Sequence, residues 1–122
     1  MFGWLRGRDT AVYPADEIGD ALHEAFPNSR RLPATVALRY EIYFARAEDA
    51  EAMARHLEDR SLAFIRDHEA DTGGGIPSWD ITVDCPVKAR HLELKMAHAE
   101  MLRHAHETNG KLGTWQITAL EA

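Results

Sequence analysis

The stretch "TVALRYEIYF", Thr35 to Phe44, alternates apolar and mixed side chains without a break. The apolar positions are Val36, Leu38, Tyr40, Ile42 and Phe44, and the intervening positions are Ala37, Arg39, Glu41 and Tyr43. Because successive side chains of a β-strand point to opposite faces of the sheet, this pattern predicts a strand. One face of the strand is expected to be buried and the other to be partly solvated.

Three further segments are predicted to be strands. They are "LAFIRDHEA" (residues 62–70), "SWDITVDC" (residues 78–85) and "GTWQITAL" (residues 113–120). The last two share a Trp with Ile-Thr beginning two residues later. We interpret this similarity as the same need for large buried side chains in two strands, and not as a duplication. In both, the Trp and the Ile are expected to face inward, which leaves Asp80, Thr82 and Asp84 on the outer face.

Three segments have helical periodicity. They are residues 13–29, with Pro14 in the first turn, residues 47–61, and a long helix from Val87 to about Asn109. Pro86 is expected to end the preceding strand, Asp84 is a candidate cap for the long helix, and Gly110 is expected to stop it. The long helix has an apolar stripe containing His98 and Met101, and a second stripe of Leu92, Met96 and Ala99. That second stripe would suit a neighbouring helix or a second copy of the chain, or it could be partly exposed.

A helix followed by β-α-β-β-α-β predicts an α+β fold. Short connections and right-handed crossovers favour a ferredoxin-like βαββαβ sandwich with an additional N-terminal helix. Its first and third strands would be central, and two helices would cover one face of the sheet. We assign residues 1–34 to an N-terminal extension with one helix and residues 35–122 to the ferredoxin-like domain.

Composition narrows the class of partner. The chain has 122 residues and a formal net charge of −6, which disfavours direct contact with nucleic acid and is compatible with a basic protein partner. One cysteine and the lack of an apolar leader or a long apolar segment predict a cytoplasmic protein without a membrane span.

No catalytic, metal or cofactor site is predicted. Cys85 has no obvious base beside it and is expected to be a packed side chain. Asp80 and Asp84 lie roughly 13 Å apart along a strand, too far for a proton-sharing pair. Among the long helix's histidines no two have the spacing of a helical metal pair: His91, His98, His104 and His106. The glycine-rich residues 71–77 lack the Gly-Lys-Ser/Thr ending of a phosphate loop.

The outer face of the sheet is the predicted binding surface. Among its expected residues only Tyr43 is aromatic, so stacking of RNA bases is not expected there. Asp80, Asp84 and Tyr43 are therefore the candidate contacts for a protein partner.

Residues 40–115 resemble the regulator of ribonuclease E activity B (RraB-like) family. The resemblance rests on "YEIYFARAEDAEAMARHLEDR", "WDITVDCPV" and "ETNGKLGTW". It implies a non-enzymatic protein that binds an endoribonuclease and modulates RNA turnover. The last of these segments, "ETNGKLGTW", adds Gly113 and Trp115 to the candidate binding residues.

An alternative from another class remains open at this point. Small ferredoxin-like chains, such as monooxygenase-like dimers, build a ligand pocket between the sheet and the helices. Here such a pocket would lie near His98 and would bind a small molecule.

Overall fold

A computed structural model describes residues 9–69 and 78–120. Within these ranges the chain forms three α-helices: α1 (Glu17–Ala25), α2 (Ala47–Asp59) and α3 (His91–Glu107). Four strands accompany them: β1 (Thr35–Phe44), β2 (Ala63–Glu69), β3 (Ser78–Lys88) and β4 (Lys111–Ala119). The predicted α+β class is confirmed. The glycine-rich residues 71–77 lie outside the described ranges.

The four strands form one antiparallel sheet in the order β2-β3-β1-β4. β1 lies at the centre, with Tyr40 opposite Val83 of β3 and Trp115 of β4. This arrangement is compatible with a ferredoxin-like fold. It places the outer residues of β1 and β3 side by side in the middle of the sheet.

One face of the sheet carries the apolar core. The five alternate residues of β1 predicted to face inward are all buried. They belong to one apolar cluster with residues of all three helices: Ile18 and Leu22 of α1, Met53 and Leu57 of α2, and Leu94 and Met101 of α3. Burying such side chains contributes roughly 1.5–3 kcal/mol each. The described helices therefore lie on one side of the sheet.

Helix α1 is shorter than the predicted residues 13–29. Asp16 is its N-cap, and its carboxylate accepts a hydrogen bond of 2.8 Å from the Gly19 N–H. This bond holds the pKa of Asp16 below its usual range. Pro14 therefore precedes the helix instead of occupying its first turn. The helix packs against β4 and α3.

Three predictions are wrong at the boundary between β3 and α3: that Pro86 ends the strand, that the helix begins at Val87, and that Asp84 caps it. β3 runs through Pro86 to Lys88, and α3 begins only at His91, with Arg90 as its N-cap. β2 begins opposite Asp84, so Pro86 has a strand neighbour only on the β1 side. A proline is tolerated where a strand has one free edge, because its missing N–H breaks no ladder bond there. Asp84 therefore does not cap α3.

Two helices end on a left-handed residue other than glycine. Ser61 after α2 has φ 56°, and Asn109 after α3 has φ 58°. The next N–H in each case reaches back to the helix, from Leu62 to the Leu57 carbonyl and from Gly110 to the Ala105 carbonyl. This is the Schellman arrangement. The residue that stops α3 is therefore Asn109, one position before the predicted Gly110.

Candidate functional site

The sheet surface opposite the helices, called the open face below, carries the predicted outer residues. Its central rows are Ala63–Asp84–Arg39–Gln116, Ile65–Thr82–Glu41–Thr114 and Asp67–Asp80–Tyr43–Lys111. The alternation of β1 and β3 had predicted which of their side chains share this face. The contribution of β2, including Asp67, was not assigned from the sequence.

Asp84 is held by Arg39, its direct neighbour on β1. The Arg39 Nε and Nη2 atoms donate to the two Asp84 carboxylate oxygens at 2.7 and 3.0 Å. Such a forked pair fixes both side chains and is stronger than a single hydrogen bond. Both side chains are 37% exposed, so the pair contributes little to folding free energy. Asp84 is consequently a neutralised and ordered part of the face.

Asp80 has a different environment. It lies directly opposite Asp67 of β2, so two like charges face each other across the strands. Opposed like charges destabilise a sheet. The Asp80 Oδ1 atom is buried and has no hydrogen-bond partner among the described residues. A buried carboxylate oxygen without a donor costs free energy.

Glu41 extends the acidic region toward β4. Its Oε2 atom accepts a hydrogen bond from the Thr114 hydroxyl at 3.0 Å and a longer one from the Tyr43 hydroxyl at 3.4 Å. Neither donor carries a positive charge. The three central rows of the open face therefore carry three acidic side chains, Glu41, Asp67 and Asp80, and one lysine, Lys111, beyond the paired Asp84 and Arg39.

Gly113 lies at an irregularity in the pairing of β1 with β4, which shifts between Glu41 and Ile42. A Cβ atom at Gly113 would come within 2.0 Å of the Tyr43 ring. The glycine thus lets the ring lie flat over β4, where Tyr43 is 37% exposed. Gly113 supports Tyr43 by leaving room for it.

Trp115 lies on the helix side, away from the other candidate binding residues. Its ring is 4.4 Å from the His98 ring, centroid to centroid. His98 Nδ1 is hydrogen-bonded to the Tyr40 hydroxyl at 2.9 Å, and the His98 side chain is 8% exposed. Burial lowers the pKa of His98. The tyrosine–histidine–tryptophan group is packed between β1, β4 and α3.

Two shallow depressions flank Arg39 on the open face. One, of about 430 Å³, is lined by Arg39, Ser61 and Asp84 among others. The other, of about 280 Å³, is lined by Arg39, Ile65 and Thr82 among others. His98 lines neither of them. Both are open to the surface and suit side chains of a partner better than an enclosed small molecule.

The other chemical candidates occupy unrelated places. Cys85 is buried, and burial raises the pKa of its thiol, which makes it a poor nucleophile. His91 Nε2 lies 2.6 Å from the Asp16 carboxylate and ties α3 to the start of α1. Over the described ranges no group of three or more His, Cys, Asp or Glu side chains could hold a metal ion.

A histidine pair between α2 and α3 was missed from the sequence. The rings of His56 and His104 lie 3.5 Å apart, centroid to centroid, and the Nε2 atom of each is buried without a hydrogen bond. The nearest charged group to His104 Nε2 is the Glu100 carboxylate, at 3.5 Å and without hydrogen-bond geometry. Burial, and then the neighbouring His104 and Arg60, lower the pKa of His56. The signal in the sequence was that His56 stands three residues after Met53 of the apolar stripe and therefore beside it on α2.

We expect the stability of the protein to fall between about pH 7.5 and about pH 5.5. The folded-state pKa values of His56 and His98 lie below 6.5, so the unfolded chain takes up protons first. Stability is therefore lost as the pH drops through 6.5 toward the folded-state values, at up to about 1.4 kcal/mol per pH unit and proton. Urea denaturation at the two pH values measures the change.

The matched variants are His56→Gln and His106→Gln, the second at an exposed position of α3. His56→Gln should flatten the pH dependence, and His106→Gln should leave it unchanged. An unaltered slope in His56→Gln would show that the pair is not the source of the effect.

Comparison with protein-family models, with curated proteins and with solved structures found no match for the chain. In the described part of the chain, no helix has the length and apolar character that a membrane crossing requires.

Proposed function

We propose that the protein is a non-enzymatic, ferredoxin-like regulator that binds a basic surface of an endoribonuclease through its open face. The proposal places it in the cytoplasm and close to the RraB-like family that residues 40–115 resemble. The partner contact is with protein, and RNA turnover changes because the nuclease is occupied.

The observation that carries the proposal is the opposed pair Asp67 and Asp80. Within the described residues no cation is paired with Asp80, and one of its oxygens is buried without a donor. An arginine or lysine of a partner placed against the exposed side of the two carboxylates would relieve their repulsion. Interfacial charge pairs of this kind give partner specificity and fast association.

The surrounding residues suit the same partner. The forked Arg39–Asp84 pair and the Tyr43 ring over Gly113 are ordered before binding, which reduces the entropy lost on association. Tyr43 and Ile65 supply exposed apolar area next to the carboxylates. A tyrosine beside charged side chains is typical of residues that dominate binding energy.

The experiment measures RNA cleavage by purified ribonuclease E with and without the protein. The wild-type chain should slow cleavage in proportion to its concentration, and added salt should weaken the effect because the contact is charged. The double variant Asp67→Asn, Asp80→Asn should need at least about tenfold more protein for the same inhibition.

Its control is the double variant Glu24→Gln, Glu58→Gln, which removes the same number of charges from exposed positions of α1 and α2. This control should inhibit like the wild type. Cleavage that is unaffected by the wild-type chain would refute the nuclease as partner, and equal losses in both double variants would refute the open face as the contact.

The surroundings of His98 do not favour the alternative, a small-molecule pocket. The Tyr40 hydroxyl bonds His98 Nδ1, and the Trp115 ring packs against the imidazole, so protein groups occupy the surroundings of His98.

A further inference from the structure

Helix α3 presents a second, unburied apolar stripe on the helix side of the molecule. Leu92 is 66% exposed and Met96 is 64% exposed, and Ala99 continues the line toward Arg103. The intervals of four, three and four residues keep these positions on one side of the helix. The same spacing forms the contact line between two paired helices. The stripe, Leu92-Met96-Ala99-Arg103, is called the α3 stripe below.

A groove runs beside the α3 stripe. It has a volume of about 780 Å³ and lies between α3 and the end of β3, with Val87 on one wall and Met96 on the other. It exists because β2 begins opposite Asp84 and leaves the last residues of β3 without a neighbour on that side. An exposed apolar stripe next to a groove with both apolar and charged walls is a form that a contact between proteins commonly takes.

The charged side chains at the two ends of the α3 stripe indicate which partner it binds. Glu93 lies at its amino end and Arg103 at its carboxyl end, and both line the groove. A second copy of α3 running antiparallel would bring Glu93 of each copy to Arg103 of the other and Met96 to Ala99. A parallel copy would instead bring the two Arg103 side chains together. Glu100 also lines the groove and is already paired with Arg60 at 2.8 Å, and Lys88 is the remaining charged residue of the lining.

We propose that the α3 stripe is the contact of a two-fold symmetric homodimer, with α3 antiparallel to α3 of a second copy. The same patch then serves both copies, as two-fold symmetry requires. The exposed Arg103–Glu107 contact of 3.3 Å within one helix is weak and yields to the contact between copies. The open face points away from this contact, so the dimer presents two open faces.

The contact is short, since Leu92 to Arg103 spans roughly 17 Å of helix. We therefore expect a concentration-dependent dimer with a Kd below about 1 mM. Sedimentation equilibrium over increasing protein concentration measures it. A chain that remains a monomer at about 1 mM would overturn the proposal.

Charge exchange tests the antiparallel arrangement. The single variants Glu93→Arg and Arg103→Glu should each weaken dimerisation at least about tenfold, because each places like charges in contact. The double variant Glu93→Arg, Arg103→Glu restores opposite charges and should recover most of the wild-type affinity. These positions are exposed, so the variants should fold, which circular dichroism checks.

Failure of the double variant to recover would overturn the antiparallel pairing. Met96→Lys is an independent test, since it should abolish the dimer at any salt concentration. None of these variants alters the open face. Their effect on ribonuclease inhibition per chain should be small, and loss of the dimer is thereby distinguished from loss of the proposed function.

Discussion

Replacing Gly19 by alanine is expected to destabilise the protein by at least about 3 kcal/mol. A Cβ atom at this position would lie 1.8 Å from the Pro14 carbonyl oxygen. That oxygen accepts a hydrogen bond from the Asp16 N–H, and Asp16 in turn caps the helix through the Gly19 N–H. The Pro14 carbonyl therefore cannot move away from the new Cβ atom without breaking the cap of α1. Urea denaturation of the variant measures the loss.

Gly113→Ala is the matched control for Gly19→Ala. Its Cβ atom would be 2.0 Å from the Tyr43 ring, an equally short contact, but with a side chain. Because the ring is partly exposed and turns about its own bonds, we expect a loss of only about 1 kcal/mol. Equal losses at the two positions would contradict the role given to the turn before α1.

The second large effect is expected for Tyr40→Phe, at about 1–3 kcal/mol. Burial raises the pKa of the Tyr40 hydroxyl, which stays protonated and bonded to His98. Phenylalanine keeps the packing and leaves the buried His98 Nδ1 without its partner. The free energy of unfolding of the variant, from urea denaturation, gives the cost.

Two controls separate the lost hydrogen bond from lost packing. Tyr43→Phe removes a hydroxyl from the exposed side of the same strand and should change stability by less than about 0.5 kcal/mol. Adding His98→Leu to Tyr40→Phe removes both polar groups and should recover part of the loss. A further loss in the double variant would contradict the assignment of His98 as a packed core residue.

The strands could be predicted from the sequence because alternation reports burial directly. Each inward position of Thr35–Phe44 is buried, and Arg39, Glu41 and Tyr43 share the open face with Asp80, Thr82 and Asp84 as predicted. The end of β3 could not be predicted, because a proline breaks a strand only where both edges are paired. Whether β2 still flanks Pro86 depends on register, and register is a property of the assembled sheet.

The components of the open face were visible in the sequence, but their pairing was not. Asp80 and Asp84 are chemically alike and lie on one strand, yet Arg39 binds Asp84 while Asp67 opposes Asp80. The difference comes from which neighbouring residue stands opposite each of them. The His56–His104 pair likewise depends on how α2 packs against α3, which periodicity within each helix does not specify.

The most direct test of the proposed contact is hydrogen exchange of the protein with and without purified ribonuclease E. Binding through the open face should slow exchange in the edge strands β2 and β4, whose outward N–H groups lie outside the sheet ladder, and leave the exposed side of α2 unchanged. Protection on the helix side with none on these edge strands, or no protection by the nuclease at all, would contradict the account.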